Sequence, residues 1–159
     1  MKKLLVMAVA IVALCACGGK GGDTVLRYRG VSLQQPVAQL VDSLRAIGFV
    51  VDSAASDSGT TLVFAHPTEV CRVLLAYKGD QVVALQEDYA LSSNDSTRQL
   101  WQQLRDGLEK ELGTWPDCPV LKDDHKEANF ESAGGFISVL LENTYSPNVH
   151  VRYTPKPSK

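Results

Sequence analysis

The chain has 159 residues, a formal net charge of −2, and 45% hydrophobic against 21% charged residues. That is enough apolar material for one core of ordinary size, which excludes a disordered chain. Lys and Arg are dispersed rather than clustered, which excludes an electrostatic footprint for nucleic acid, so no nucleic-acid partner is expected.

The N-terminus reads as a targeting segment. Lys2 and Lys3 precede an uncharged apolar run, Leu4 to Ala16. Thirteen residues are too few to span a hydrocarbon core of about 30 Å, and no stop-transfer charges follow, so a secretory signal is the better reading. In "LCACGGKGGD", residues 14–23, Leu14-Cys15-Ala16-Cys17 matches the bacterial lipobox: aliphatic at −3, small at −2 and −1, cysteine at +1. Cys15 cannot be the +1 residue, because bulky Leu14 would then stand at −1. Cys17 is therefore the expected lipidation site, and Gly18 at +2 resembles the outer-membrane signal. Two or three acyl chains, at about 0.8 kcal/mol per buried CH₂, make an essentially permanent anchor. The chain divides into a lipoprotein signal peptide (1–16), a lipidated Cys with a Gly-rich tether (17–23), a single α+β domain (24–155) and a tail (156–159). Cleavage leaves 143 of the 159 residues and, with Lys2 and Lys3 gone, a net charge of −4.

Alternating side chains in "TVLRYRGVSL" (24–33) predict an opening strand. In "PVAQLVDSLRAIG", Pro36 suits the first helical position and Gly48 the C′ position, while Val37, Leu40, Val41, Leu44 and Ile47 share one helical face. Strands are expected at 49–51, 61–65, 69–77 and 81–87, with Gly79-Asp80 turning the last pair. A second helix runs from about Asp95 to Leu112, capped by Ser93 or Asn94 and ended by Gly113 and Pro116. Trp101, Leu104, Leu108 and Leu112 form its buried stripe, and Arg105–Glu109 and Asp106–Lys110 are i,i+4 pairs on its wet side. Strands follow at about 118–121, 126–133, 135–143 and 148–154. "VLLA" at 73–76 and "VLLE" at 139–142 lie 66 apart, as do Phe64 and Phe130, and Gly48 and Gly113 lie 65 apart. The expected architecture is α+β, two helices on one face of an antiparallel sheet, with a duplicated α-β-β-β-β unit.

Few residues point to chemistry. Cys71 and Cys118 either bridge, as an oxidising compartment permits, or stay separate buried thiols; spacing alone leaves both open. Asp123-Asp124-His125 with Glu127 is the local cluster nearest to a cation site. Consecutive loop residues rarely converge, and the alternate spacing and glycine of a calcium loop are missing, so a solvated loop is the default and neither metal nor cofactor is expected. His66 reads as a turn residue before Pro67. His150 and Arg152 read as the exposed face of the last strand, opposite Val149, Val151 and Tyr153. Glu87 and Asp88 are neighbours in sequence, so on a strand they face opposite ways and cannot act as a pair. No G-x-S-x-G, Walker loop, dinucleotide fingerprint or H-E-x-x-H occurs, so no catalytic residues are assigned. Trp101 belongs to the helical stripe and Trp115 is less constrained.

The lipobox, "YRGVSLQQPVAQLVDSLRAIGF", "LWQQLRDGLEKELG" and "FISVLLENTYSPNVHVRY" resemble an uncharacterised family of small gut-bacterial lipoproteins of Bacteroides type. That resemblance implies no activity. Asp23-Thr24-Val25, Asp52-Ser53-Ala54 and Asp95-Ser96-Thr97 resemble a short acceptor for O-glycosylation in such bacteria, at Thr24, Ser53 and Ser96. Duplicated helix-plus-sheet lipoprotein domains also resemble outer-membrane assembly factors and secreted protease- or lactamase-inhibitor folds. The expectation is a non-enzymatic outer-membrane lipoprotein, facing periplasm or cell surface, that binds an envelope protein. The alternatives are a small-molecule or glycan-binding lipoprotein and an envelope hydrolase.

Overall fold

The computed structural model describes residues 25–57 and 59–157. The signal segment, Cys17, the glycine-rich stretch and Thr24 lie outside the described residues.

The elements in chain order are β1 (Arg27–Tyr28), β2 (Val31–Ser32), α1 (Val37–Ala46), β3 (Val50–Val51), β4 (Thr61–Ala65), β5 (Cys71–Lys78), β6 (Gln81–Ala90), α2 (Asn94–Leu112), β7 (Asp117–Lys122), β8 (His125–Ser132), β9 (Gly135–Glu142) and β10 (Asn148–Pro155). Strands β3 to β10 form one antiparallel sheet in the order β3-β4-β5-β6-β10-β9-β8-β7. Each helix is thus followed by four strands, and the two groups meet along β6 and β10, which pair from Asn148–Ala90 to Tyr153–Leu85. The fold is α+β.

The opening stretch is not the single strand that its alternation predicts. Tyr28 pairs with Val31 across a two-residue reversal at Arg29 (φ 50°) and Gly30 (φ 80°). Positive φ at both positions is the twist-compatible hairpin turn, and the non-glycine member costs about 1 kcal/mol for its left-handed backbone. A reversal this short leaves the apolar–polar alternation intact, so periodicity alone could not see it.

Helix α2 is set by Ser93, whose hydroxyl accepts from the Ser96 amide, and by Gly113 in the left-handed region at φ 64°. Its buried residues are Thr97, Trp101 and Leu108, with Leu104 and Leu112 partly covered. The Trp101 indole donates to the Val139 carbonyl at 3.0 Å, which satisfies its one polar group. Helix α1 buries Val37, Leu40 and Leu44. Ile47, expected on the same stripe, stands past the helix end and is exposed. Arg105 reaches Glu109 as expected, whereas Asp106 is held by Arg105 and Gln102.

Strand alternation divides the sheet into two faces. Phe64, Val73, Leu75, Leu85, Val151, Val139 and Leu141 share the face that joins both helices in one core cluster. The opposite, open face carries Arg72, Asp88, His150, Leu140 and Glu127 in one row across β5, β6, β10, β9 and β8. The two ends of the sheet also differ. One, the turn end, holds the β5–β6 and β8–β9 turns and the end of β10. Here Gly134 meets the chain as it enters the domain: a Cβ on it would collide with the backbone of Val25 and Leu26. Lys156, expected in a free tail, donates its backbone N–H to the Gly134 carbonyl at 2.9 Å. The other, the loop end, holds residues 66–70, 123–124 and 143–147. Helix α2 starts there, with Asn94 and Arg98 bonded to Asp124, and its 19 residues carry the chain about 28 Å back to the turn end.

Candidate functional site

Among the described residues the one acidic or basic side chain in the buried set is Glu87, on β6 at the middle of the sheet, only 4% exposed. Alternation puts it on the covered face between Leu85 and Tyr89, where an isolated carboxylate would be very costly. The β1–β2 hairpin supplies its partners. The Tyr28 hydroxyl donates to Glu87 Oε1 at 2.7 Å and Arg29 Nη2 donates to the same oxygen at 3.0 Å. Arg29 also grips Glu69 with both terminal nitrogens, at 2.8 and 2.7 Å, a bidentate fork. Its guanidinium stands 5.3 Å from the Tyr28 ring centre and 5.1 Å from that of Phe49. Cys71 donates its thiol to Glu69 at 3.4 Å. From the hairpin tip Arg29 thus reaches Cys71 on β5, Glu87 on β6 and Glu69 in the loop before β5.

Burial and neighbouring groups shift the titration of three members of this cluster. Burial, with Glu87 adding to it, pushes the Cys71 thiol up to about 12, so it is protonated at neutral pH and a poor nucleophile. Burial first and then Glu87 also raise the Tyr28 phenol. Hydrogen bonding by Arg29 holds the Glu69 carboxyl below its ordinary range. The chemistry on offer is a clamp that fastens the hairpin to the sheet.

On the open face, His150 Nδ1 and Asp88 Oδ1 lie 2.6 Å apart, and Gln86 donates to the same carboxylate at 2.7 Å. Burial raises the Asp88 carboxyl, and the bonds from His150 and Gln86 outweigh it, leaving it below its usual range. The residues across from His150 on the flanking strands are Asp88 and Leu140. Towards the turn end the same face has a shallow depression of about 280 Å³ lined by Asn129, Phe136, Ser138 and Arg152 among others. A second, of about 410 Å³, lies over the outer surface of α2 at Arg98, Gln102 and Asp106.

Exposed apolar side chains gather mostly at and toward the loop end. Val70 and Tyr145 sit in its loops, Ile47 ends α1, and Val50 and Leu121 lie on the outermost strands in the half of the sheet nearest that end. Trp115, Phe136 and Val83 lie toward the turn end instead.

The sequence-predicted positions separate accordingly. Cys17 and Thr24 lie outside the described residues. Ser53 is exposed in the turn after β3, and Ser96 has its hydroxyl 2.9 Å from that of Ser93 in the helix cap. A Cys71–Cys118 bridge is not formed: both thiols are free. They stand on β5 and β7, five inter-strand steps or roughly 24 Å apart along the sheet, far beyond disulfide reach. Asp124 accepts from Asn94, Arg98 and Asn143, and His125 pairs with Glu142 at 2.7 Å, so this stretch ties the β7–β8 turn to α2 rather than being a merely solvated loop. Among the described residues no group of three or more His, Cys, Asp or Glu is placed to hold a metal. Neither His66 nor Trp101 joins the Glu87 cluster by hydrogen bond; His66 packs edge-on against Phe49 with ring centres 5.2 Å apart. Sequence reasoning missed the role of Glu87, although a charged residue at a covered position of a strand was its signal. Comparison with family models, curated proteins and solved structures finds no match.

Proposed function

We propose that this chain is a lipid-anchored, non-enzymatic envelope protein whose domain holds a protein partner at the end farthest from its anchor. The observation that carries the reading is the exposed apolar set at and near the loop end, Ile47, Val50, Val70, Leu121 and Tyr145, opposite the end where the chain enters beside Gly134. These exposed apolar and aromatic side chains, none of which lines either depression, suit a protein partner better than a small molecule, which needs a concave site. Anchorage at Cys17 in the outer membrane, and membership of the gut-bacterial lipoprotein group that the sequence resembles, belong to the same proposal.

A duplicated α-β-β-β-β unit is part of it too. The 66-residue offset carries Gln86 onto Arg152, the residue it pairs with across the β6–β10 seam. This favours two copies joined back to back through their last strands. In that scheme Glu87 stands where the second half has Tyr153, and the hairpin clamp is an addition to one half only.

The test is photocrosslinking in intact cells from Val70 and Tyr145, compared with Gln99 on the outer surface of α2. A common protein captured from the first two positions and not from the third supports the proposal; only lipid or peptidoglycan adducts would sink it. Labelled palmitate should enter the chain and be lost with Cys17→Ser. A second reading, a glycan or small ligand, draws on the open-face depression at Phe136, Asn129 and Arg152. It predicts saturable binding that Arg152→Ala abolishes while crosslinking at Tyr145 is unchanged.

A further inference from the structure

The geometry points to the turn end as a membrane-contacting surface, with Trp115 seated in the lipid headgroup region. This rests on the anchor reading above and adds an orientation to it. Val25 lies eight Cα–Cα steps beyond position 17, a contour of at most about 28 Å. The chain enters the domain at Val25 and Leu26 under Gly134. Whatever holds residue 17 therefore keeps the chain's entry point at the turn end within about 28 Å of itself, while the loop end lies about 28 Å further along α2.

The turn end has the side chains for such a contact. Helix α2 delivers Trp115 there, just past Gly113 and two residues before β7 begins at Asp117, and leaves it 82% exposed. The other tryptophan, Trp101, is 1% exposed and fully hydrogen-bonded, so the exposure of Trp115 is not a general habit of this chain. Tryptophan concentrates at membrane–water boundaries because its ring is apolar and its N–H polar. Phe136 and Val83 are also exposed toward this end, and Lys156 Nζ lies 5.2 Å from the Phe136 ring centre. A lysine folded over an aromatic ring there can turn its ammonium to phosphates while the ring enters the boundary.

Charge says how the contact works. Asp80, Glu111, Asp117 and Glu131 stand against Lys78, Lys110 and Lys156, with Glu131 paired to Lys156 and Asp80 bonded to the Val37 amide, so acidic and basic groups nearly balance. This end is not basic enough to seek anionic lipid, so the contact depends on ring insertion and is insensitive to salt and to headgroup charge.

The experiment uses the mature acylated chain in phosphatidylethanolamine–phosphatidylcholine vesicles, with Trp115→Ser as the subtraction control; Trp115 is exposed, so the change spares the core. The Trp115 emission is expected to shift to the blue, and lipids brominated near the headgroup should quench it at least twofold, equally at low and high salt. A chain that floats with the vesicles while its Trp115 emission stays unshifted and unquenched overturns the orientation and leaves the anchor standing. A chain that does not float overturns both.

Discussion

Arg29→Ala is the sharpest test of the hairpin clamp. The substitution leaves Glu87 on the covered face with Tyr28 as its remaining hydrogen-bond donor of the two. Breaking a buried ion pair by removing one partner costs about 3–5 kcal/mol. The Arg29 side chain is 33% exposed and that of Glu87 only 5%, so water can reach the vacated place and the lower end, about 3 kcal/mol, is expected. Arg29→Gly should be about 1 kcal/mol less damaging than alanine, because it also relieves the left-handed backbone. The double change Arg29→Ala/Glu87→Gln removes the stranded charge yet keeps an oxygen for Tyr28, and should recover about half the loss. Urea denaturation of the full chain carrying Cys17→Ser, followed by far-ultraviolet dichroism, reads these as midpoint shifts. The alanine variant should fall by at least about 1 M at constant m. A loss below about 0.5 kcal/mol, or a double variant no more stable than the single, would refute the claim that charge pairing holds the hairpin down.

Three further outcomes follow from the same geometry. In the folded chain Cys71 should react with iodoacetamide far more slowly than a free thiol, because burial raises it to about 12, and both Cys71 and Cys118 should be titratable after unfolding; a missing pair would mean a bridge. Asp88 is depressed in the folded state, so its stabilisation is complete above the ordinary carboxylate value of about 4 and disappears as pH falls through the lower folded value. Asp88→Asn should therefore weaken the fold at pH 7 and converge with the parent in acid; parallel stability curves would contradict this. Gly134→Ala forces the chain segment at Val25 and Leu26 off the β8–β9 turn, at a cost of about 2 kcal/mol, and hydrogen exchange at Leu33, whose amide bonds to the Leu26 carbonyl at 2.9 Å, should accelerate. Unchanged exchange there would show that the backbone contact is not what seats the hairpin.

Much of the architecture was legible because local signals agree with tertiary placement. The α2 stripe at Trp101 and Leu108, its Ser93 and Gly113 ends, and the Gly79-Asp80 turn all express periodicity or backbone chemistry that acts within a few residues. Alternation likewise placed His150 and Arg152 opposite Val149 and Val151. What stayed hidden depends on pairing at long range. Nothing local says that β6 lies beside β10, so the meeting of Glu87 with Arg29, 58 residues away, could not be read from spacing. The separation of Cys71 from Cys118 was equally invisible, since it depends on strand order. The Arg29-Gly30 reversal was concealed for the opposite reason: it is so short that the pattern on either side continues undisturbed.

The position of β10 has a consequence for how the sheet is completed. Its eight residues, 148–155, follow every other described strand along the chain, yet they form the seam between the two halves of the sheet. Until they dock, both β6 and β9 present a long unpaired edge, a template for aggregation. Ending the chain before β10 would thus divide the molecule down its middle and leave two sticky margins where the sheet is now continuous.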